Sequence, residues 1–343
     1  MSLIIENVSK KFGNKKVVDN ISIKLDKPEV FGLLGTNGAG KTTTIRMLLG
    51  IIKKDSGTIT WNGLEVDRKK VNFGYLPEER GVYPKVKIID QLKYFAELKG
   101  MDTETSLKSI KKWAKILKVE EYLEMPAEKL SKGNQQKIQF MTAVIHDPEL
   151  IVLDEPFSGL DPVNTEILKN VIIDLVKKGK YIIMSAHEMH TIEEFCTDIL
   201  ILNKGKTVLK GKIKDIKQTY PANRVIIETN EDITKIIEKN NLKIENSHDN
   251  SYIIKIEKEQ QGYELLKNIV KEKIDVNKFE ILKPSLSDIF IEKVGAKNAW
   301  YNNSNEIHST WHDKKKIVYN INNNYTSNDS NRIQCPKNNK IIQ

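Results

Sequence analysis

A glycine-rich segment near the N-terminus has the residue types needed to hold phosphate groups. Residues 35–42 read GTNGAGKT and fit the pattern G-x-x-x-x-G-K-[ST] at every position. Glycines let backbone N–H groups close around phosphate oxygens, Lys41 would reach the β- and γ-phosphates, and the Thr42 hydroxyl would bind Mg²⁺. A chance match is expected in about one chain in a hundred of this length. The sequence therefore predicts a nucleotide-phosphate site.

The elements around this segment are those that phosphate binding requires. The apolar run VFGLL predicts a strand before it, and TTTIRMLL predicts a helix after it. The N-terminus of that helix adds partial positive charge beside the phosphates. The residues predicted to contact the nucleotide here are Gly35, Thr36, Asn37, Gly38, Ala39, Gly40, Lys41, Thr42 and Thr43.

Two carboxylates follow a second apolar strand. In ELIVLDEPFSGLD, residues 149–161, Asp154 and Glu155 emerge at the carboxyl end of the strand, where α/β sheets bind ligands. Asp154 is suited to hold Mg²⁺, and Glu155 is suited to orient or deprotonate a water near the terminal phosphate. An acidic pair after a strand is, by itself, more often a solvated loop end. The phosphate segment in the same domain favours the catalytic interpretation.

A third segment, LSKGNQQKIQF at residues 130–140, also looks able to hold an anion. Ser131 can cap the following helix, Gly133 permits close approach of the backbone, and the first N–H groups of the helix face outward. The alternative is an ordinary capped amphipathic helix with Ile138, Met141 and Ile145 as its buried stripe.

The apolar pattern places these segments in an α/β fold. Up to about residue 218, short apolar strands alternate with amphipathic helices, which predicts a mostly parallel core sheet. LIIENVSKKF, VVDNISIKL and GTITWNG alternate with period two and predict an antiparallel flank. Residues 82–148 have helical spacing and no strand pattern, which predicts a helical subdomain within the first domain, residues 1–218.

Two regions follow that domain. Residues 222–295 read as strand, helix, two strands, helix and strand, which is the order of a small α+β ferredoxin-like domain. Residues 296–343 contain twelve asparagines and too few apolar side chains for a core. We predict that this Asn-rich tail is disordered.

Composition narrows the class of protein. The chain has 343 residues, of which 39% are hydrophobic and 29% charged, as in a soluble globular protein. It has neither an apolar run of about 18 residues nor an N-terminal signal region, so we expect it in the cytoplasm. Cys196 and Cys335 have no metal-ligand spacing and are predicted to be reduced thiols. The net charge of +9 is spread without a long basic stripe, so no nucleic-acid partner is expected.

The ordered set of motifs resembles one family. LSKGNQQ, LDEP, SGLD and SAHEM follow the phosphate segment in the order found in the ATP-binding subunits of ABC transporters, and the likeness covers roughly residues 1–218. GYLPEERGVYPK and LKPSLSDIF further resemble the subunits of bacterial export-type systems that carry a small C-terminal domain. The resemblance implies an ATPase that uses ATP and Mg²⁺.

The resemblance also implies why the chain has two anion-binding segments. Nucleotide domains of this family dimerise head to tail, so Ser131, Gly133 and Asn134 would bind the γ-phosphate held by the partner. Asp161 would communicate across the dimer interface, although it could also, or only, cap a helix.

Two further site residues are implied by the resemblance. Phe12 would stack on adenine, although an isolated Phe is more often a core residue. His187 would contact the γ-phosphate and orient the attacking water, although a lone His after a strand is usually structural. With Glu155 and Lys41, His187 completes the predicted catalytic set.

Two positions depart from the family pattern. Glu78 stands where a Gln is usual; its carboxylate could coordinate Mg²⁺ or a water, but it adds negative charge beside ATP. Lys132 replaces a Gly of the signature segment. A lysine is tolerated at this position only if the backbone there does not need a positive φ. Asn134 keeps the usual amide at a shorter reach.

The resemblance finally implies partners. The chain would work with a separate polytopic membrane permease, peripheral to the inner face of the membrane, and with a second copy or a closely related ATPase subunit. The coupling surface is expected around the Glu78 loop and residues 82–98. The alternatives are a soluble ABC ATPase without transport, as in translation, and a regulator that uses ATP only to dimerise.

Overall fold

The computed structural model describes residues 1–67, 71–79, 81–186 and 189–294. The predicted switch residue His187 and the Asn-rich tail lie outside these ranges. Contacts divide the described chain into two compact units. The first contains Met1–Arg224, Glu257–Glu259 and the segment from Ile281 onward, and the second contains Val225–Ile256 and Gln260–Glu280.

The first unit is a layered α/β structure. Its strands are β1 (Leu3–Phe12), β2 (Lys15–Leu25), β3 (Val30–Gly35), β4 (Ser56–Trp61), β5 (Leu64–Glu65), β6 (Phe73–Leu76), β7 (Leu150–Asp154), β8 (Tyr181–Ala186), β9 (Asp198–Asn203) and β10 (Lys206–Lys212). Its helices up to residue 218 are α1 (Lys41–Leu48), α2 (Ile88–Leu98), α3 (Thr103–Leu117), α4 (Lys132–Val144), α5 (Pro162–Lys177), α6 (Met189–Phe195) and α7 (Ile213–Gln218).

The central sheet of this unit is mostly parallel, as predicted. Its strand order is β10-β9-β3-β8-β7-β6, and only β10 is antiparallel to its neighbour. Every residue of β3, β7 and β8 is buried, which is typical of parallel strands covered on both faces. A separate sheet of order β2-β1-β4-β5 is antiparallel and forms the predicted flank.

The helical subdomain is also confirmed. Residues 82–148 form α2, α3 and α4, and the described residues there contain no β-strand apart from an isolated bridge between Lys87 and Pro126. Asp102 caps α3 by accepting the Thr105 N–H at 2.9 Å. Trp113 and Phe140 pack edge to face with their ring centroids 6.3 Å apart in the subdomain core.

A buried histidine joins the end of α4 to the start of β6. His146 is 9% exposed, its Nε2 lies 2.9 Å from the Phe73 carbonyl oxygen, and its Nδ1 has no hydrogen-bond partner among the described residues. Burial lowers the pKa of His146 from its ordinary 6.5 to about 4. The imidazole is therefore neutral in the folded protein at neutral pH.

This histidine should make the protein sensitive to mild acid. Between pH 6.5 and about 4 the unfolded chain binds a proton at His146 that the folded chain does not, so the stability of the folded state falls as the pH falls. The loss should be about 1 kcal/mol per pH unit. His146→Gln keeps a donor for the Phe73 carbonyl but cannot titrate. Urea unfolding at several pH values should show that the free energy of unfolding depends less steeply on pH in this variant than in the wild type. An equal dependence on pH in the two proteins would contradict the assignment.

The second unit has the predicted ferredoxin-like order. Its elements along the chain are β11 (Arg224–Thr229), α8 (Thr234–Lys239), β12 (Lys243–His248), β13 (Ser251–Lys255), α9 (Glu259–Lys271) and β14 (Val276–Leu282). The sheet order is β12-β13-β11-β14. Leu265 and Ile269 form the buried stripe of α9, and Ile227 and Ile254 are among the buried apolar residues of β11 and β13.

The last described helix, α10 (Leu286–Val294), belongs to the first unit. Leu286, Ile289 and Phe290 are buried in the large apolar cluster of that unit, which also includes residues of α6 and α7. Asp288 accepts two hydrogen bonds from the Arg224 guanidinium, at 2.6 and 3.1 Å. The sequence pattern includes this segment in the small domain, residues 222–295, and in the structure its apolar side chains pack in the core of the first unit.

No helix in the described ranges is both long and apolar enough to cross a membrane.

Candidate nucleotide-binding site

The phosphate segment forms a tight loop between β3 and α1. Gly35, Gly38 and Gly40 have φ values of 150°, 75° and 105°, a region that favours glycine. A Cβ atom at Gly35 would lie 2.5 Å from the Leu202 carbonyl oxygen, so only glycine fits there. Helix α1 begins at Lys41 with neither a side-chain cap nor an acidic residue in its first turn. This helix N-terminus is therefore suited to hold an anion.

Lys41 lies between the loop and the second acidic residue. Its side chain is buried, its Nζ donates to the Gly35 carbonyl oxygen at 2.8 Å, and its Nζ is 3.5 Å from Glu155 Oε1. A buried ammonium group needs a partner, and here the Glu155 carboxylate supplies it. The cation and the carboxylate are thus brought together from segments more than one hundred residues apart.

Asp154 ends the buried strand β7 and is fully buried itself. The Ser185 hydroxyl donates to Asp154 Oδ1, whereas Oδ2 has no hydrogen-bond partner among the described residues. Burial raises the pKa of Asp154, and the nearby Glu78 and Glu155 carboxylates raise it further, while the Ser185 and Thr42 hydroxyls act in the opposite direction. An unpartnered buried carboxylate oxygen beside a threonine hydroxyl fits a divalent cation such as Mg²⁺.

Glu155 has an unusual backbone conformation. Its φ is 53°, in the left-handed region that non-glycine residues seldom adopt, and its N–H lies 3.1 Å from the Ser185 hydroxyl oxygen. Such a conformation costs about 1–3 kcal/mol and is found mostly at functional sites. The strained turn directs the Glu155 carboxylate toward Lys41 immediately after the β-strand that ends in Asp154.

Glu78 joins these groups from a neighbouring strand. It follows β6, which pairs in parallel with β7 so that Leu76 lies opposite Leu153. Glu78 is exposed, and its charge acts on Asp154. The carboxylates of Glu78, Asp154 and Glu155 therefore converge at one edge of the sheet, beside Lys41 and Thr42.

The signature residues form a second group. Ser131 caps α4 by accepting the Asn134 N–H at 3.3 Å. Asp161 caps α5 by accepting the Asn164 N–H at 2.9 Å, so its capping role is present. A Cβ atom at Gly133 would lie 3.2 Å from Asn164 Nδ2, which shows how closely the two helix N-termini approach. Lys132 has no positive φ, so replacing the usual glycine there introduces no backbone strain.

Phe12 lies at the end of β1 and is 49% exposed, so it is not a core residue. The Lys10 ammonium lies 5.5 Å from the centre of its ring. An exposed aromatic face remains available for stacking on a base.

Sequence reasoning missed three buried polar residues around the site. Ser185 precedes His187 and binds Asp154, while Gln136 and Gln139 lie on α4 and donate to carbonyl groups of the two acidic loops. Their only signal in the sequence was their position inside segments already singled out as motifs.

The chain is similar to known ATP-binding proteins. Residues 18–158 match the family model of the ABC transporter domain, and residues 211–294 match that of the C-terminal domain of DrrA1-3-like ATP-binding proteins. The uncharacterized ABC transporter ATP-binding protein YhaQ of Bacillus subtilis is 45% identical over 295 residues, 86% of this chain and 99% of that protein. The Nod factor export ATP-binding protein I of Ralstonia nicotianae is 31% identical over 61% of this chain and 67% of its own length.

Solved structures agree as well. An ATP-binding subunit of an ABC transporter superposes with a TM-score of 0.59 at 28% identity, covering 64% of this chain and 93% of its own. The chain belongs to the ABC transporter ATP-binding proteins, and its activity is ATP hydrolysis coupled to transport.

Proposed function

We propose that this subunit powers export through a separate membrane permease by closing and opening a head-to-tail dimer on ATP and Mg²⁺. The observation that carries the proposal is that Lys41 and the carboxylates of Asp154 and Glu155 converge at the N-terminus of α1, which has no side-chain cap. Most of the catalytic effect would come from positioning and charge stabilisation, as in other phosphoryl transfers.

The first group consists of the residues that would bind the nucleotide and the cation of their own chain, and each of them has a distinct part. Lys41 and the loop N–H groups bind the β- and γ-phosphates, and the exposed face of Phe12 stacks on adenine. Thr42, Asp154 and Glu78 would hold Mg²⁺, which when bound neutralises charge on the terminal phosphates. Asp154 provides an oxygen with no other partner among the described residues.

Glu155 acts on the attacking water. Its turn is fixed by Ser185 of the neighbouring strand, so the carboxylate has little freedom to move away from the phosphate site. It orients the water and accepts its proton, while His187 contacts the γ-phosphate.

The second group serves the nucleotide of the partner subunit. Ser131, Gly133 and Asn134 lie at the N-terminus of α4, whose first turn has no acidic residue. Such a helix end binds an anion, and the first group already provides a loop for the nucleotide of its own chain. The γ-phosphate would therefore be held from both sides, and its loss on hydrolysis would let the dimer open. Asp161 lies beside Gly133 and would report the state of one site to the other.

An exposed aromatic surface suits the permease. Tyr83, Tyr94 and Leu98 are 52%, 51% and 63% exposed on α2 and the loop before it, and Tyr83 stacks on Phe95 with ring centroids 6.2 Å apart. Exposed apolar groups on one surface mark interaction sites. Export is supported by the name of the relatives that serve Nod factor export.

Membrane attachment through this surface can be tested directly. We expect the tagged chain, co-expressed with the candidate permease, to sediment with membranes and to be cross-linked to that permease. Tyr94→Glu combined with Leu98→Glu should place charges in the interface, reduce the membrane-bound fraction about tenfold or more, and leave ATP binding unchanged. Leu64→Glu, which changes a residue that is 74% exposed on the short strand β5, is the matched control.

Two outcomes would contradict this assignment. One is an unchanged membrane-bound fraction in the double variant. The other is sedimentation of the wild-type chain with ribosomes instead of membranes, which would favour the alternative of a soluble ABC ATPase in translation.

A further inference from the structure

Two buried glutamines connect the signature helix α4 to the two acidic loops of the same chain. Gln136 Nε2 donates to the Pro156 carbonyl oxygen at 3.1 Å, immediately after Glu155. Gln139 Nε2 donates to the carbonyl oxygens of Pro77 and Glu79, at 3.0 and 2.9 Å. Both side chains are at most 3% exposed. Because they are three positions apart, they lie on one face of the helix.

The two hydrogen bonds of Gln139 flank Glu78, the residue that departs from the family pattern. Its single amide nitrogen binds the backbone on both sides of Glu78 and thereby fixes the loop from which that carboxylate projects. Gln139 Oε1 has no partner among the described residues, so the donor atoms are the part of the side chain that is used. Burying half of an amide without a partner is costly, which argues that the two donated bonds matter.

The helix that carries Gln139 is held firmly against the strand that leads to Glu78. A Cβ atom at Gly74 in β6 would lie 2.1 Å from the Ala143 carbonyl oxygen in α4, so the two backbones touch. Gln139 therefore donates from a fixed support rather than from a mobile surface.

Glu78 needs such a support because of its charge. Its carboxylate adds to the negative potential at Asp154, which is also beside Glu155. Like charges repel, and an exposed loop would yield by moving Glu78 away from the others. A neutral amide that binds two flanking carbonyl groups opposes that movement without adding charge.

We propose that Gln139 is a positioning residue that holds Glu78 in place to act, with Asp154 and Thr42, as a ligand of the divalent cation. This inference rests on the proposed function, in which Glu78 is one of the cation ligands. Groups that orient a metal ligand typically change metal affinity by about 10–100-fold when they are removed.

The test measures cation binding without hydrolysis. Mn²⁺ is titrated into the full-length protein with a non-hydrolysable ATP analogue, and free Mn²⁺ is followed by its EPR signal. Gln139→Met keeps the side-chain volume but removes the donor, and should weaken Mn²⁺ binding about tenfold. Gln135→Met is the matched control, since Gln135 on the same helix also donates to two carbonyl oxygens, those of Ala127 and Leu130, and makes no hydrogen bond to the described residues of the Glu78 loop. It should bind Mn²⁺ like the wild type.

A double-mutant cycle distinguishes positioning from general damage. Glu78→Ala should weaken Mn²⁺ binding, and adding Gln139→Met should weaken it no further, because the positioned group is already gone. Additive effects, or a Gln139→Met protein with wild-type Mn²⁺ affinity, would overturn the proposal. If Gln139→Met does not fold, as judged by thermal unfolding, Gln139→Asn provides the same comparison because its shorter amide cannot reach both carbonyl groups.

A control measurement on the wild type distinguishes failure of the cation site from failure of the role of Gln139. If wild-type protein with the ATP analogue binds no Mn²⁺, the proposed cation site itself fails. If the wild type and Glu78→Ala behave as expected and only the Gln139 variants do not, the failure is confined to Gln139.

Discussion

Replacing Glu155 by Gln is expected to reduce ATP turnover by about 10²–10⁴-fold, the usual contribution of a general base. The amide keeps the shape of the side chain but cannot accept a proton from the attacking water. ATP binding should persist, because Lys41, the loop N–H groups and Asp154 are unchanged. Since hydrolysis is needed to open the proposed dimer, the variant should accumulate as an ATP-bound dimer.

The measurement pairs steady-state phosphate release with size-exclusion chromatography in Mg-ATP. Glu149→Gln is the matched control, because Glu149 is an exposed glutamate at the opposite end of the same strand. It should retain wild-type turnover. Turnover of Glu155→Gln within a few-fold of the wild type would contradict the role of Glu155 as a base. The ion pair of Glu155 with Lys41 would then be structural only.

Mixing two inactive variants is expected to restore ATP turnover. Lys41→Met removes the ammonium that would bind the phosphates, and Ser131→Asp introduces a negative charge where the γ-phosphate of the partner should lie. Aspartate is also a good helix N-cap, so α4 should still form. Either variant alone has two defective sites in a head-to-tail dimer and should be inactive.

In a mixed dimer both lesions affect the same site, and the other site is intact. If the two variants are refolded or co-expressed at equal amounts, half of the dimers are mixed, and turnover should recover to about a quarter of the wild-type value for independent sites. A site built from one chain would give no recovery at any mixing ratio. Lys41→Met mixed with Glu155→Gln is the control, because both changes lie in the first group of one chain. If Lys41 and Glu155 of one chain serve the same site, each site of the mixed dimer has one defect. If they served different sites, one site would have both defects and the other would be intact.

The mixture of Lys41→Met and Glu155→Gln is expected to show no recovery of turnover. Lys41 and Glu155 are in contact within one chain, 3.5 Å apart. The mixed dimer should therefore have one Lys41-defective site and one Glu155-defective site, and turnover should stay at the level of the separate variants. Recovery in this control as strong as in the Lys41 and Ser131 mixture would contradict the two-sided site.

Much of the site was predictable because its motifs are local. The loop from Gly35 to Thr42 depends on glycine conformations and on a helix N-terminus, both of which are properties of a short segment. Ser131 and Asp161 cap helices by contacts within three residues, which sequence spacing also encodes. The order of the elements in the second unit followed from alternating apolar patterns for the same reason.

Other features depended on which strands become neighbours. Nothing local indicates that β6 pairs with β7, yet that pairing brings Glu78 beside Asp154 although 75 intervening residues separate them in the chain. Helix α10 has an apolar face that either unit could have buried, and its contacts assign it to the first. Phe12 is exposed because it lies at the end of its strand, which its residue type alone did not reveal.

The sequence by itself determined that this protein binds and hydrolyses a nucleotide within an α/β domain, since phosphate binding and element type are encoded over a few consecutive residues. The tertiary structure decided how the charges are arranged: three carboxylates and a lysine at one sheet edge, with glutamines of α4 holding the loops that carry them. Such contacts join segments far apart in the chain, and their geometry follows from packing and hydrogen bonding in the folded state rather than from any local pattern.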